Sequence, residues 1–166
     1  MVTTNTNTTM TFKFTEENLK RIEESRKKYP TALAAVMDVL WIAQEQNGYI
    51  STEVMEEIAN VLGIDKVLVL SAATFYTMYH KKPMGKHHIQ VCTNVSCMLR
   101  GGYEIWKHIK EKYGIDNLGV TEDGLVSIEE VECMGACGYA PMIAINDDYY
   151  ENLTKEKVEE ILESLK

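Results

Sequence analysis

The 166-residue chain has no run of about 18 apolar residues, the length that a membrane-spanning helix requires. Its uncharged middle stretch, Val67 to Tyr79, is dotted with Ser and Thr, so no direct membrane insertion is expected. The first ten residues, MVTTNTNTTM, have neither a basic start nor an apolar centre and do not read as a secretory signal. A cytoplasmic protein is expected. Positive charge is scarce: 17 Lys and Arg stand against 25 Asp and Glu, for a net charge of −8. That balance argues against nucleic acid or an anionic membrane as the main partner. Neither GxGxxG nor a P-loop pattern occurs, so the chain has no evident nucleotide site of its own. Cys-x-x-Cys is also missing, which excludes a thioredoxin-type redox dithiol.

What remains is ordinary globular composition, 45% hydrophobic and 25% charged, enough for one medium domain or two small ones. The charge divides the chain. Residues 1–86 carry ten basic and ten acidic side chains, whereas residues 87–166 carry seven and fifteen and hence the whole net charge. All four cysteines lie in the acidic half. A boundary is expected near Lys81-Lys82-Pro83-Met84-Gly85, where Pro and Gly punctuate a polar segment. The expected organisation is a disordered Thr/Asn-rich tail over 1–13, a helical bundle over 14–82 and a second domain over 83–166.

In the first part, Thr15 can cap a helix opening with Glu16-Glu17 and ending before Tyr29-Pro30. A second helix carries Leu33, Val36, Met37, Leu40 and Trp41 on one face and closes at Asn47-Gly48. A third follows Ser51 or Thr52, with Val54, Ile58, Val61 and Leu62 on one face and Gly63 at its end. A fourth is expected from Asp65 through Tyr79; its lack of a polar face implies burial against the other helices or a partner chain. The second part changes period. Strands are expected at His88–Val91, Leu125–Ile128, Met142–Ile145 and Tyr149-Tyr150, with a helix after Gly101-Gly102 and a last one capped by Thr154. The fold class is α/β (α+β): a helical bundle followed by a small mixed sheet with helices packed on it.

The cysteines carry the chemistry. Cys92 and Cys97 are spaced Cys-x4-Cys, and after 35 residues Cys133 and Cys137 are spaced Cys-x3-Cys. Each pair adjoins an apolar strand, so two loops at one end of a sheet could present four thiolates to one place. Disulfides are disfavoured in a reducing compartment. Structural zinc more often uses two Cys-x2-Cys knuckles, yet it stays open, as do four inert buried thiols. A [2Fe–2S] cluster fits best, because its two irons each take two terminal sulfurs and so match two cysteine pairs. Gly135 and Gly138, between and after the second pair, would bring backbone N–H groups close to such a cluster. A Rieske centre would need two histidine ligands, and His87, His88 and His108 have no matching spacing, so they read as structural or solvated side chains.

The segments GKHHIQVCTNVSCMLRGG, VECMGACGYAPMIAIN and DDYYENLT, preceded by YP…AQEQNGYIS and ATFYTMY, resemble one family over about residues 29–165. It is the thioredoxin-like [2Fe–2S] subunit family of NADH-oxidising complexes. Its members include the NuoE-type subunit of NADH:quinone oxidoreductase (complex I). They also include related small subunits of NAD-linked and electron-bifurcating hydrogenases and of NAD-dependent formate dehydrogenases. The resemblance implies a thioredoxin-like [2Fe–2S] ferredoxin domain over 83–166, with Cys92, Cys97, Cys133 and Cys137 as the cluster ligands. It further implies docking of the N-terminal helices on a flavoprotein subunit that binds FMN, NADH and a [4Fe–4S] cluster, beside further iron–sulfur subunits. The chain would exchange single electrons with that FMN, as part of an oxidoreductase whose complete active site and catalytic residues are not on this chain. For a complex I member the place would be the peripheral arm. The competing class is a non-redox assembly or scaffold subunit stabilised by zinc or by a cluster. Thioredoxin-like folds often have a cis peptide where Ala140-Pro141 stands here, and one is expected.

Overall fold

The computed structural model describes residues 12–165. The chain divides into two compact units, one ending at Pro83 and the other beginning at Met84.

The first unit is built from four helices, α1 (Glu16–Arg26), α2 (Val36–Asn47), α3 (Thr52–Leu62) and α4 (Lys66–Phe75). Their starts are written in the sequence. The side chains of Thr15, Ser51 and Asp65 accept hydrogen bonds from the backbone N–H groups of Asn18, Val54 and Val67, satisfying donors that a helix start leaves unpaired. α2 and α3 end on Gly48 and Gly63 in the left-handed region, the conformation that glycine reaches without a side-chain clash. Ile22, Val39, Leu40, Ile50, Val54, Ile58, Leu62 and Val69 are buried together. Each such aliphatic side chain contributes about 1.5–3 kcal/mol by leaving water.

Most of the tail expected to be disordered lies outside the described residues. Its last two residues, 12 and 13, are engaged: Phe12 packs on the core and meets Phe14 edge-on, and the Lys13 ammonium is 2.6 Å from the Glu57 carboxylate.

Two expectations need correction. Leu33 and Trp41 are not core residues but about half exposed. The segment opens with a tight 3₁₀ turn over Leu33–Ala35, so Leu33 lies outside the register of α2, which buries Val36, Val39, Leu40 and Ala43. The fourth helix does not run to Tyr79. It stops at Phe75, because Tyr76 is extended and the chain beyond it is held by side chains of α2. Gln44 donates through Nε2 to the carbonyl of Met78 (2.9 Å) and accepts through Oε1 from the N–H of His80 (2.7 Å). The Tyr79 hydroxyl donates to the carbonyl of Met37 (2.9 Å). An uncharged sequence looks helical to its end, but this long-range capture wins.

The second unit is a four-stranded sheet with helices. Its elements are β1 (His87–Cys92), α5 (Val95–Leu99), α6 (Gly102–Tyr113), β2 (Val126–Val131), β3 (Ile143–Ile145), β4 (Asp148–Tyr150) and α7 (Lys155–Ser164). The strand order is β2-β1-β3-β4. β1 and β2 run parallel, joined through α6, while β1–β3 and β3–β4 are antiparallel. Ile89, Val91, Val126 and Ile128 share one core with Ile105, Trp106 and Ile109 of α6 and Val158 and Leu162 of α7. The helix α5 is additional to the elements expected from the sequence; five residues are too short to show a hydrophobic period. No helix among the described residues is long and apolar enough to cross a membrane.

Candidate metal centre

The first cysteine pair grows out of β1. Cys92 is its last residue, in register with Val131 of the parallel neighbour β2. Its own N–H donates to the carbonyl of Met142, which precedes β3 (3.4 Å), and the next N–H, that of Thr93, donates to the carbonyl of Val131 (3.1 Å). Asn94 then opens α5 by accepting the N–H of Val95 on its side-chain oxygen (2.6 Å). Cys97 therefore sits in a single helical turn rather than in a loop. Gly101, left-handed at φ 95°, reverses the chain into α6.

Gly102, the first residue of α6, is packed against the backbone of this pair. A Cβ built on it would stand 2.9 Å from the carbonyl oxygens of both Cys92 and Cys97, closer than such atoms can approach. From the sequence, Gly101-Gly102 marks only the start of a helix, although two glycines directly after a ligand candidate are a usable sign of close backbone approach.

The second pair follows β2. Gly135, at φ 81°, turns its N–H toward the Cys133 sulfur at 3.4 Å. Cys137 opens a 3₁₀ turn that ends at Tyr139, and a cis Ala140-Pro141 bond leads into β3. Gly138 lies within that turn with open space where a side chain would be. A side chain of β4 tethers the loop: the Tyr149 hydroxyl donates to the carbonyl of Met134 (3.2 Å). No sequence pattern points to Tyr149.

Cys92 and Cys97 are buried beside Ala140 and Met142, with Val131, Met134 and Ala136 at the margin, whereas Cys133 and Cys137 are exposed. The Cys97 thiol hydrogen-bonds to Cys92 and lies within electrostatic reach of Cys137. Burial foremost, then that hydrogen bond, pushes the Cys97 thiol up to about 11. Cys92 in turn contacts the carbonyl of Glu132 at 3.8 Å. All four cysteines are free thiols. Among the described residues no three His, Cys, Asp or Glu side chains gather as they would around a single metal ion. A two-iron cluster, taking two thiolates at each iron, has no need of three around one point. The donor set fits it: four sulfurs in two pairs, from two chain segments, with a backbone N–H turned to one of them.

Two of the histidines considered from the sequence are engaged elsewhere. His88 is buried with Nδ1 2.9 Å from Ser127 Oγ and Nε2 3.1 Å from Glu129, and His108 Nε2 is 2.7 Å from Glu159.

The chain is similar to known proteins over most of its length. The family model described as thioredoxin-like [2Fe–2S] ferredoxin matches residues 22–166. The E-subunit of NADH-quinone oxidoreductase from Rickettsia bellii is 46% identical over 158 residues, 93% of this chain and 95% of that protein. An E-subunit of the same enzyme from Rhizobium meliloti, the second of that type, is 40% identical over 147 residues, 89% of this chain and 88% of that protein. Among solved structures, an NAD+-reducing [NiFe]-hydrogenase contains the same fold, with a TM-score of 0.66 and 16% identity. The match covers 76% of this chain and 22% of the hydrogenase chain.

Proposed function

Because the chain belongs to the thioredoxin-like [2Fe–2S] ferredoxin family, we propose that Cys92, Cys97, Cys133 and Cys137 hold one [2Fe–2S] cluster. In this reading the chain is an electron-transfer subunit that exchanges single electrons with the FMN of a partner flavoprotein. That partner binds NADH and a [4Fe–4S] cluster and performs the hydride chemistry, which belongs to its flavin. The relatives from NADH-quinone oxidoreductase favour that enzyme, with the chain in its peripheral arm, over a soluble NAD-linked hydrogenase or formate dehydrogenase.

One observation carries the reading. β1 and β2 are parallel neighbours whose ends coincide, Cys92 opposite Val131, so the two cysteine segments leave the sheet at the same end. When bound, the cluster supplies a one-electron carrier. The protein's own part is to position and insulate. Ala140 and Met142 keep water from the inner pair, Cys92 and Cys97. The Gly135 N–H donates to the Cys133 sulfur, which stabilises added negative charge there. The outer pair, being exposed, gives a short path to a partner's carrier. The helical unit offers a docking face: Val67, Leu70 and Phe75 of α4 are exposed apolar side chains, of the kind that marks protein contacts.

The test is electron paramagnetic resonance of the anaerobically purified, dithionite-reduced protein, with iron, sulfide and zinc assayed on the same sample. A rhombic S = 1/2 signal with about two irons and two sulfides per chain, lost in Cys→Ser variants at the four positions, is the expected result. Zinc without sulfide would overturn the electron-transfer reading in favour of a structural metal module.

A further inference from the structure

The second unit has a groove of about 490 Å³ directly beside the first cysteine pair. Its apolar part is Val95 and Met98 of α5 with Tyr103 of α6; its polar wall is Thr93 with Glu130 and Glu132 from the end of β2 and the residue beyond it. Val95, Met98 and Tyr103 are all exposed, and Leu99 next to them is 76% exposed. Such a contiguous apolar surface is unusual on a protein face that meets only water.

The groove is also charged in one sense. Glu130 accepts a hydrogen bond from the Thr93 hydroxyl (2.8 Å), but among the described residues neither Glu130 nor Glu132 is ion-paired with a lysine, arginine or histidine. It lies in the half of the chain that carries the entire net charge of −8. No third carboxylate, cysteine or histidine among the described residues joins these two to make a metal site. Two carboxylates without a cation, beside a half-exposed aromatic ring, instead match a planar cation: a guanidinium can fork onto carboxylates and stack on a tyrosine ring, with its aliphatic stem on Val95 and Met98.

We propose that this groove seats an arginine side chain of the partner flavoprotein, with apolar anchors around it closing over Leu99. The proposal rests on the electron-transfer reading above and names where the partner is recognised. The groove adjoins Cys92, whose thiol contacts the carbonyl of Glu132. Glu132 directly precedes Cys133, so a partner seated here also lies beside the segment that carries the exposed outer pair.

The experiment uses the cluster-loaded full chain and the purified cognate NADH-oxidising flavoprotein, with affinity measured over a series of salt concentrations. The double variant Glu130→Gln/Glu132→Gln keeps side-chain shape and the acceptor for Thr93. It is expected to weaken binding about tenfold at low salt and to flatten the salt dependence, as loss of interfacial charge complementarity does. The reduced paramagnetic spectrum should stay that of the parent chain, which separates lost contact from lost folding. Tyr103→Ala removes the ring without charge and should weaken binding while leaving the salt dependence steep. Parent-like affinity and salt dependence in the double variant would overturn the groove proposal alone. A parent chain that carries its cluster yet binds no flavoprotein at any salt would overturn the electron-transfer partnership and the groove proposal with it.

Discussion

Gly102 lies so close to Cys97 that a Cβ on it would stand 2.9 Å from the Cys97 carbonyl oxygen and 3.0 Å from the carbonyl carbon. The carbonyl of Cys92 is equally near, so the first turn of α6 is the surface against which both ends of the first cysteine segment rest. Gly102 is not among the residues at positive φ; what it supplies is space. Its neighbour Gly101 is the reverse case, left-handed with only the flexible Glu104 side chain near.

The two glycines therefore separate by experiment. Gly102→Ala must push backbone against backbone, at about 1–3 kcal/mol for an overpacked site, and should spread Cys92 from Cys97. Iron and sulfide per chain are expected to fall well below those of the parent. Gly101→Ala carries a conformational strain of about 1–3 kcal/mol and should lower the melting temperature with iron content retained. Full iron content in the Gly102 variant would show that α6 does not set the spacing of the pair.

The outer pair depends on a weaker hold. Tyr149 reaches from β4 to the Met134 carbonyl and is itself half exposed. A net hydrogen bond of about 0.5–1.5 kcal/mol corresponds to a several-fold change in loop opening. Tyr149→Phe should thus release iron to a chelator several-fold faster than the parent while starting from the same iron content. Equal release rates would show that the Tyr149 hydrogen bond does not hold the Cys133–Cys137 segment.

In the helical unit the decisive side chain is Gln44. It is buried and satisfies both Met78 and His80. Gln44→Leu fills similar volume but strands a carbonyl and an N–H that lie against the core, at about 1–3 kcal/mol each. Chemical denaturation of this variant should show a loss of a few kcal/mol. A loss under about 0.5 kcal/mol, the range of neutral surface changes, would mean that the Gln44 hydrogen bonds are not what holds the 76–80 segment.

Much of this is legible in the sequence because it is local. Thr15, Ser51, Asp65 and Thr154 announce helix starts through their own neighbours' N–H groups, and Gly48 and Gly63 announce ends. The cysteine spacing announces a four-thiol centre beside strands. What stays hidden is non-local. Gln44 meets Met78 across 34 residues, and Tyr149 meets Met134 across the β3 turn. The α5 turn around Cys97 is too short for periodicity, and the closeness of Gly102 to two carbonyls exists only after the chain has folded back on itself.

Tyr79 supplies a test by pH. Its side chain is fully buried, and desolvation, followed by the nearby charges of Asp38 and Tyr76, pushes its hydroxyl up to about 12. The neutral phenol is the form that donates to Met37. Unfolding returns the group to its ordinary value near 10. Since the folded value is the higher one, the folded chain binds more protons between the two, and stability falls with rising pH in that interval. The contribution of Tyr79 is therefore complete below about pH 10 and lost toward pH 12. Burial also raises Tyr113, and a hydrogen bond to Asp38 raises Tyr29, so the informative quantity is the difference between the parent and Tyr79→Phe. At pH 8 the variant should be less stable by about 1–2 kcal/mol, because the Met37 carbonyl loses its donor. Above pH 10 the gap should narrow, since only the parent has a phenol at this position to ionise. Urea denaturation midpoints of both chains from about pH 8 to about pH 11.5 read this directly, and a gap that stays constant across the interval would remove Tyr79 from the alkaline instability of the protein.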